Sequence, residues 1–553
     1  MNRPFILLAI FLLIVVSCNQ PEHYEIIIQN GQILDGSGEP SYWGDLAINA
    51  DTIAAVGDLS NDTADTLINA EGMAISPGFI NMLSWANVSL LHDGRSLSDI
   101  SQGVTLEVMG EGSSMGPLNE EMKQEMLQEQ GDIKFDVPWT TLGEYLDHLT
   151  ENGVSTNVAS FVGNGTLRQH VIGYENREAT PQEIDQMKDL LRTAMEEGAV
   201  GLSSSLLYAP SGSADTGELI ELAKVAAEYD GIYISHIRDE GENLLPSLEE
   251  LIEVAREADI RSQVYHLKAS GESNWNKMDD AIQMIQDARD ERLLVTADMY
   301  NYPASSTGLH VQLPDWVREG GVDATIERLA NPDLREQILN DIEFTHTPDK
   351  ILLVGFRNQD LRNYQGMYLS DVSEQLNKSP EETMIELIVE DDSRIQVVYF
   401  SMSEENMHKK IRQPWMSFCS DAGSYAPEGV FLNYSTHPRA YGSFARLLAK
   451  YVREEQVIPL EEAIRKMTSL PASILKIKKR GSLQPGYFAD LVIFDPESIQ
   501  DHATFEEPHQ LATGVEHVFV NGSHVLRNGE HTGALPGRVV LGPGYQQSDE
   551  IDE

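Results

Sequence analysis

The chain has 553 residues, 41% of them hydrophobic, and is therefore long enough to bury a large core and to hold an accessory module beside a main domain. Its 88 acidic residues against 39 basic ones give a formal net charge of −49 at pH 7, which would repel a phosphate backbone and so excludes nucleic-acid binding. The acidic residues are spread along the chain, a pattern typical of a solubilising surface.

The first 18 residues predict an export signal. Arg3 precedes an apolar run from 5 to 16 that is too short to span a bilayer. The last four residues of this segment, VVSC at 15–18, resemble the lipobox of a bacterial lipoprotein. That resemblance implies lipid modification of Cys18 and a protein exported and anchored to a bacterial membrane, in the periplasm or at the cell surface. The alternative is an ordinary cleaved signal in which Cys18 carries no lipid.

Segments near both chain ends have the character of β-hairpins. Between 25 and 75, short apolar runs alternate with turn residues. Near the other end, the Asn-Gly pairs at 521 and 528 are strong turn signals between further apolar runs. Because two distant segments share this pattern, we expect 24–75 and 478–545 to form one β module.

The middle of the chain predicts a parallel (β/α) barrel over 76–477. Short apolar runs alternate with amphipathic helical stretches about eight times. A looser region around 303–396 is too long for a simple loop, and we expect this insertion to cover the barrel mouth. The expected strands include NVASFVG at 157–163, AVGLSSSL at 199–206, GIYISHI at 231–237, SQVYHLK at 262–268, LLVTADMY at 293–300, QVVYFSM at 396–402 and PWMSFCSD at 414–421.

Polar residues stand at the carboxyl ends of three expected strands. His236 and His266 end two successive strands, and Asp421 ends a later one. Side chains in such positions point into the active site of a parallel barrel. A lone histidine there is usually a satisfied structural residue, but two histidines with a later aspartate fit a metal site.

Ten motifs follow one another over nearly the whole chain after the signal segment: SPGFI at 76–80, QGVT at 102–105, GNGTLR at 163–168, GLSSSLLYAP at 201–210, HIRDEGE at 236–242, HLKASGESNW at 266–275, DMYNYPASST at 298–307, SDAG at 420–423, HPRAYGSFAR at 437–446 and GSLQPGYFADLVIFDP at 481–496. Through them the chain resembles the amidohydrolase superfamily and, within it, the N-acyl-D-amino-acid deacylase (D-aminoacylase) family. The resemblance implies an α/β fold, a distorted TIM (β/α)8 barrel with a small β-sandwich formed from the N- and C-terminal segments. It also implies a metal-dependent hydrolase that cleaves the linear amide C–N bond of a small N-acyl-D-amino acid.

The resemblance further implies roles for single residues. His236 and His266 would bind a zinc ion. Asp421 would be the general base that takes a proton from the attacking water and later gives it to the leaving nitrogen. An alternative for one of the substrate ligands, Arg439, is a surface ion pair, because the gap from Asp421 to Arg439 is longer than the family's usual spacing. The residues that would bind the substrate and its α-carboxylate are Lys268, Tyr300, Ser306 and Arg439.

The chain departs from the family pattern at the first barrel strand. After SPGFI the family has Asp-x-His-x-His, whereas this chain has Asn-Met-Leu-Ser-Trp at 81–85. Leu83 and Trp85 cannot bind a metal, so a site that depends on those histidines is absent or weakened. Trp85 would make the pocket more apolar and favour a hydrophobic acyl group. A further change places Asn164 where the family tends to have histidine.

The family's bridging cysteine is also missing. The matching stretch, QGVTLEVMGEGSSMGP at 102–117, contains no cysteine, and a carboxylate can take the same place. Glu111 is the expected third ligand and Glu107 is the alternative. A site of Glu111, His236 and His266 with one open position suits about one zinc ion per chain.

More than one class of function remains open from the sequence. The favoured hypothesis is the N-acyl-D-amino-acid deacylase. A second is another amidohydrolase activity, such as a dipeptidase or a cyclic-amide hydrolase. A third is a lipid-anchored, non-catalytic binding protein. In that case Leu83, Trp85 and Asn164 would have replaced histidines of an ancestral enzyme that lost its activity. The retention of Asp421 beside both histidines favours the enzyme, although resemblance of fold alone cannot choose among activities.

Overall fold

The computed structural model describes residues 21–546. The predicted export signal and the lipobox Cys18 lie outside the described residues. Over 21–546, no helix combines the length and the apolar character needed to cross a membrane.

The strands are numbered in chain order: β1 (His23–Ile33), β2 (Tyr42–Asn49), β3 (Thr52–Gly57), β4 (Thr63–Asn69), β5 (Ala74–Pro77), β6 (Phe79–Asn81), β7 (Val104–Met109), β8 (Asn157–Ser160), β9 (Val162–Gly163), β10 (Gly201–Ser205), β11 (Ile232–His236), β12 (Arg261–Val264), β13 (Val295–Met299), β14 (Ser305–Gly308), β15 (Ile351–Gly355), β16 (Gln396–Tyr399), β17 (Met416–Phe418), β18 (Leu491–Phe494), β19 (Val515–Val520), β20 (Ser523–Arg527) and β21 (Glu530–His531). The helices are α1 (Ser89–His92), α2 (Leu97–Ile100), α3 (Glu120–Gln128), α4 (Leu142–Asn152), α5 (Asn164–Val171), α6 (Pro181–Glu196), α7 (Thr216–Glu228), α8 (Leu244–Glu257), α9 (Met278–Asp290), α10 (Asp315–Arg318), α11 (Gly321–Ala330), α12 (Arg335–Asp341), α13 (Leu369–Leu376), α14 (Pro380–Asp391), α15 (Glu404–Ile411), α16 (Arg439–Arg446), α17 (Leu460–Met467) and α18 (Ser469–Ile474), with α16 continued by a π-helix (Leu447–Glu454).

Both ends of the described chain contribute to one β module. Its strands run in the order β21-β20-β19-β18-β5-β1-β2-β3, with β4 paired to β1. The two chain ends meet where β18 pairs antiparallel with β5, with Val492 opposite Ser76. Alternating apolar side chains pack into a shared core that includes Ile28, Ile75 and Leu491. The N- and C-terminal segments therefore form one β module, as the sequence predicts.

Within residues 21–546, eight parallel strand positions close into the barrel, in the order β6, β7, β8 continued by β9, β10, β11, β12, β13 and β17. Phe161 alone separates β8 from β9. The first and last strands meet where the Met82 N–H donates to the Phe418 carbonyl at 3.3 Å. Just beyond, Ser84 and Ala422 form a parallel bridge. The predicted distorted (β/α)8 barrel is confirmed.

Capped helices connect the barrel strands. Thr180 and Glu183 form a capping box at the start of α6, where Pro181 is the first helical residue. Thr141 and Glu144 form the same arrangement at the start of α4. Such reciprocal caps satisfy N–H groups that have no partner within the helix and fix where each helix begins.

An inserted unit separates β13 from β17. Its strands, in the order β14-β16-β15, pair antiparallel and have a core of their own that includes Leu309, Ile351 and Val397. The prediction that QVVYFSM at 396–402 is a barrel strand is wrong, because β16 pairs with β14 and β15. A short apolar run has the same pattern in either kind of sheet, so periodicity could not separate them. The inserted sheet thus extends just past the expected 303–396.

Candidate active site

A cavity of about 1660 Å³ opens at the carboxyl ends of the barrel strands. Barrel residues such as His236 and Asp421 line one part of it, and residues of the inserted unit such as Ser306 and Arg394 line another. Parallel barrels place their active sites at this end. The inserted unit therefore forms part of the wall of the candidate active site.

Glu111, His236 and His266 converge in this cavity from the ends of three barrel strands, of which the two that carry the histidines are neighbours. Glu111 follows β7, His236 is the last residue of β11, and His266 lies two residues beyond β12. The Glu111 Oε1 is 2.9 Å from His236 Nδ1 and 3.0 Å from His266 Nε2. All three side chains are buried, and one donor atom from each lies within 4.8 Å of the other two.

This donor set fits a metal ion. Two imidazoles and a carboxylate with one open position are the donors that catalytic zinc uses. Burial by itself would raise the pKa of the Glu111 carboxyl, but the imidazoles of His266 and His236 lower it below its usual range. The His236 Nε2 is buried and has no hydrogen-bond partner among the described residues. A buried carboxylate that faces two imidazole nitrogens is suited to hold a cation.

Glu107, the alternative third ligand, points elsewhere. Its carboxylate accepts hydrogen bonds from Ser84 Oγ at 2.7 Å and Thr156 Oγ1 at 2.9 Å. Burial raises the pKa of Glu107 above its usual value. The fold therefore brings Glu111 to the histidines and keeps Glu107 in a separate polar cluster.

Asp421 and Arg439 form a buried ion pair beside the donor set. The Arg439 Nη1 lies 2.7 Å from Asp421 Oδ2, and its guanidinium carbon lies 4.5 Å from the centre of the Tyr300 ring. Burial by itself would lower the pKa of Arg439, but the Asp421 carboxylate outweighs it and raises that pKa above the usual value. Arg439 is 5% exposed, which excludes the alternative of a surface ion pair.

Lys268 lies at the same site, in contact with a carboxylate that is not among the residues predicted from the sequence. The Glu240 Oε1 is 2.5 Å from Lys268 Nζ and 3.0 Å from His266 Nδ1. The Glu240 Oε2 is 3.7 Å from His236 Nε2. Glu240 belongs to the HIRDEGE motif, which contains three acidic residues, and the motif by itself does not indicate which of them turns inward.

Tyr300 and Ser306, the other predicted substrate ligands, differ in whether their hydroxyl groups already have hydrogen-bond partners. The Tyr300 hydroxyl is buried and has no hydrogen-bond partner among the described residues. Burial raises the pKa of Tyr300 well above its usual value, so the phenol is a neutral donor. The Ser306 hydroxyl already donates to the Val397 carbonyl at 2.8 Å and accepts from Gln396 Nε2 at 2.7 Å. Ser306 lines the cavity, but its proton is engaged by the backbone of β16.

The positions where the family has further histidines hold other contacts here. Leu83 is fully buried in the core. Trp85 faces the cavity, and its indole Nε1 donates to Asp421 Oδ1 at 3.2 Å. Asn164 is buried and donates to Glu218 Oε1 at 3.0 Å while accepting from Ser211 Oγ at 2.7 Å. None of the three extends the donor set of Glu111 and the two histidines.

Comparison with known proteins agrees with this geometry. The model of the Amidohydrolase family matches residues 66–526. D-aminoacylase from Alcaligenes xylosoxydans xylosoxydans is 32% identical over 533 residues, which are 95% of this chain and 99% of that protein. The structure of an N-acyl-D-glutamate deacylase from Bordetella bronchiseptica, complexed with zinc and a phosphonate inhibitor, has a TM-score of 0.79 at 29% identity and covers 94% of this chain and 100% of that one. A structure of D-aminoacylase has a TM-score of 0.78 at 31% identity, with the same coverage of 94% and 100%. That structure concerns the binuclear metal center of D-aminoacylase, for which one-metal activation and second-metal attenuation are stated. This chain therefore belongs to the amidohydrolase family, within its N-acyl-D-amino-acid deacylase (D-aminoacylase) branch.

Proposed function

We propose that this protein hydrolyses N-acyl-D-amino acids to a carboxylate and a D-amino acid, with about one zinc ion per chain held by Glu111, His236 and His266. The observation that carries the proposal is the convergence of these three buried side chains in the cavity that also contains the Asp421–Arg439 ion pair. The D-aminoacylase relative supports the substrate class, since it matches this chain over almost its full length.

Asp421 is the residue that moves the proton. A bound zinc ion supplies Lewis-acid polarisation of the amide carbonyl and lowers the pKa of a nearby water. The Asp421 carboxylate accepts a proton from the attacking water and returns it to the amide nitrogen as the C–N bond breaks. Because one carboxylate takes and then gives the proton, its position relative to the histidines governs both steps.

Arg439 and Tyr300 bind the α-carboxylate of the substrate. A guanidinium offers a carboxylate two parallel N–H donors, and the unpartnered Tyr300 hydroxyl adds a third donor. The substrate carboxylate competes with Asp421 for Arg439, which lies 2.7 Å from Asp421 Oδ2. Substrate binding thereby frees Asp421 for proton transfer. Lys268, which contacts Glu240 at 2.5 Å, adds positive charge to the same wall.

The proposal is tested by zinc analysis and by hydrolysis of a panel of N-acyl-D- and N-acyl-L-amino acids. We expect about one zinc per chain, turnover of the D-series, and a fall in kcat of about 10²- to 10⁴-fold in Asp421→Asn. The control is Glu242→Gln, an exposed carboxylate at the cavity rim, which we expect to behave as wild type. Zinc-loaded protein that hydrolyses no member of the panel would overturn the proposal. Absence of both zinc and turnover would favour a binding protein.

We also propose that the protein is exported and lipid-anchored through Cys18. The support is the apolar run from 5 to 16 followed by the VVSC lipobox. Incorporation of labelled palmitate into wild type and its loss in Cys18→Ser would agree with the proposal. Cys419→Ser is the matched control, because Cys419 is the other of the two cysteines and is buried in the core. Equal labelling of wild type and Cys18→Ser would overturn it.

A further inference from the structure

Trp85 stands where the family pattern has the second histidine of the first barrel strand. We propose that Trp85 is a positioning residue that holds Asp421 in the orientation needed for proton transfer. This proposal rests on the proposed function, since it assigns a partner to the general base of that reaction. A residue that holds the base without touching the reacting atoms acts on turnover rather than on substrate affinity.

Each oxygen of the Asp421 carboxylate has its own partner. The Trp85 Nε1 donates to Oδ1 at 3.2 Å, and the Arg439 Nη1 lies 2.7 Å from Oδ2. Over residues 21–546 these are the side-chain contacts that the carboxylate makes by hydrogen bond or ion pair. The carboxylate is thus held from two sides by groups that come from different parts of the chain.

The backbone holds the indole and the carboxylate in a fixed relation. The Trp85 N–H donates to the Ala422 carbonyl at 2.9 Å, and the Asp421 N–H donates to the Leu83 carbonyl at 3.0 Å. These two hydrogen bonds flank the parallel bridge between Ser84 and Ala422. Asp421 has a φ of +49°, a left-handed conformation that a residue with a side chain rarely adopts. The paired segments that close the barrel therefore keep Asp421 in an unusual conformation beside Trp85.

The two partners of Asp421 differ in what substrate does to them. Arg439 is also the proposed ligand of the substrate α-carboxylate, so substrate draws its guanidinium away from Asp421. The Trp85 N–H has no such second role. An indole N–H donates but neither accepts a proton nor titrates in the range of enzyme action. Trp85 therefore remains the donor that fixes Asp421 while the reaction takes place.

Trp85→Phe tests this role, because it keeps an aromatic ring in the cavity wall and removes the N–H donor. We expect kcat to fall about 10- to 100-fold, as for a misplaced catalytic group, while KM and zinc content stay close to the wild-type values. Trp43→Phe is the matched control, since Trp43 is 66% exposed on β2 of the terminal β module and does not line the cavity. An unchanged kcat with a raised KM would overturn the proposal and leave Trp85 as a lining residue for the acyl group.

A measurement that does not depend on turnover separates this proposal from the proposed function. The chain has six tryptophans, and ¹⁵N labelling of their indoles gives one resonance for each. The Trp85 resonance is assigned by its disappearance in Trp85→Phe. We expect this resonance to shift in Asp421→Ala and the resonance of Trp43 to stay in place. If wild type hydrolyses no substrate while the shift is present, the proposed function fails and the Trp85–Asp421 contact stands. An unshifted resonance overturns the positioning role whether or not the protein is active.

Discussion

The carboxylate of Asp298 holds the backbone of His266. Its Oδ1 accepts the His266 N–H at 2.7 Å, and the Asp298 carbonyl accepts the next N–H, that of Leu267, at 2.9 Å. His266 has a φ of +33°, which is unfavourable for any residue other than glycine. Asp298, near the end of β13, therefore stabilises a strained turn that directs the imidazole toward Glu111.

Removing this acceptor is expected to loosen the metal site. Asp298→Ala leaves the buried His266 N–H without a partner, which costs about 1 to 3 kcal/mol of folding stability. The same change releases the strained turn, so zinc affinity falls as well. Asp298→Asn keeps an acceptor oxygen and is expected to lose less of both. Thermal denaturation and chelator competition measure the two effects. Equal zinc affinity in wild type and Asp298→Ala would contradict the positioning of His266 by Asp298.

Zinc binding is expected to depend on Glu111 and not on Glu107. Glu111 lies about 3 Å from both histidine nitrogens, whereas Glu107 binds Ser84 and Thr156. Glu111→Ala should therefore abolish stoichiometric zinc binding, and Glu107→Gln should retain it. Zinc content measured after gel filtration shows which of the two glutamates is needed for zinc binding. Circular dichroism checks that each variant is folded. The reverse result would show that Glu107 is the third ligand.

Glu240 is expected to tune the affinity for the metal through His266. The Glu240 Oε1 lies 3.0 Å from the far nitrogen of the ring, Nδ1, which is also 2.8 Å from Lys268 Nζ, while Nε2 faces Glu111. A carboxylate in that place orients a ligating imidazole, and its loss typically weakens metal binding 10- to 100-fold. We expect a weakening of about that size in Glu240→Gln, measured by competition with a chelator.

Glu242→Gln controls for the loss of one negative charge at the same rim of the cavity, because Glu242 is exposed and makes no side-chain contact with the histidines. We expect this variant to bind zinc as tightly as wild type. Similar weakening in the Glu240 and Glu242 variants would point to a general effect of charge and would remove the specific role of Glu240.

The sequence predicts those parts of the site that depend on the local pattern of apolar runs and turn residues. His236 and His266 follow apolar runs that read as strands, and the geometry of a parallel barrel brings the ends of neighbouring strands together. The terminal β module follows in the same way from its turn signals. Local pattern carries these features because each depends on residues close together in the chain.

Contacts between distant segments could not be predicted in this way. Trp85 and Asp421 are 336 positions apart, and their hydrogen bond depends on how the last strand closes against the first. Glu240 turns toward His266 because of the course of a loop, which the HIRDEGE motif alone does not specify. The run at 396–402 joins the inserted sheet because its partners in β14 and β15 lie nearby in the fold. In each case the contact depends on a residue or strand that is distant in the sequence, so the local sequence pattern does not reveal it.

The inserted unit is expected to lose stability in mild acid because of His310. Burial, with Arg394 and Arg318 adding repulsion, lowers the pKa of His310 from 6.5 to about 3. The folded protein therefore keeps this imidazole neutral, whereas the unfolded chain takes up a proton as the pH falls below about 6.5. Because the unfolded state binds more protons between these two pKa values, the free energy of unfolding decreases as the pH is lowered. The loss between pH 6.5 and pH 5 is about 2 kcal/mol.

His310→Asn isolates this contribution, because asparagine keeps a polar side chain of similar reach and does not titrate. Wild type and variant are compared by differential scanning calorimetry at pH 7 and pH 5. We expect Tm to fall more steeply with acid in wild type than in His310→Asn, so that the difference between the two proteins changes with pH. Other histidines with a lowered pKa, such as the partly buried His346 with a pKa of about 4, titrate equally in both proteins and cancel in the comparison. Parallel Tm profiles would mean that His310 takes up its proton over the same pH range in the folded and the unfolded protein, and the burial of a neutral imidazole would no longer explain the acid sensitivity.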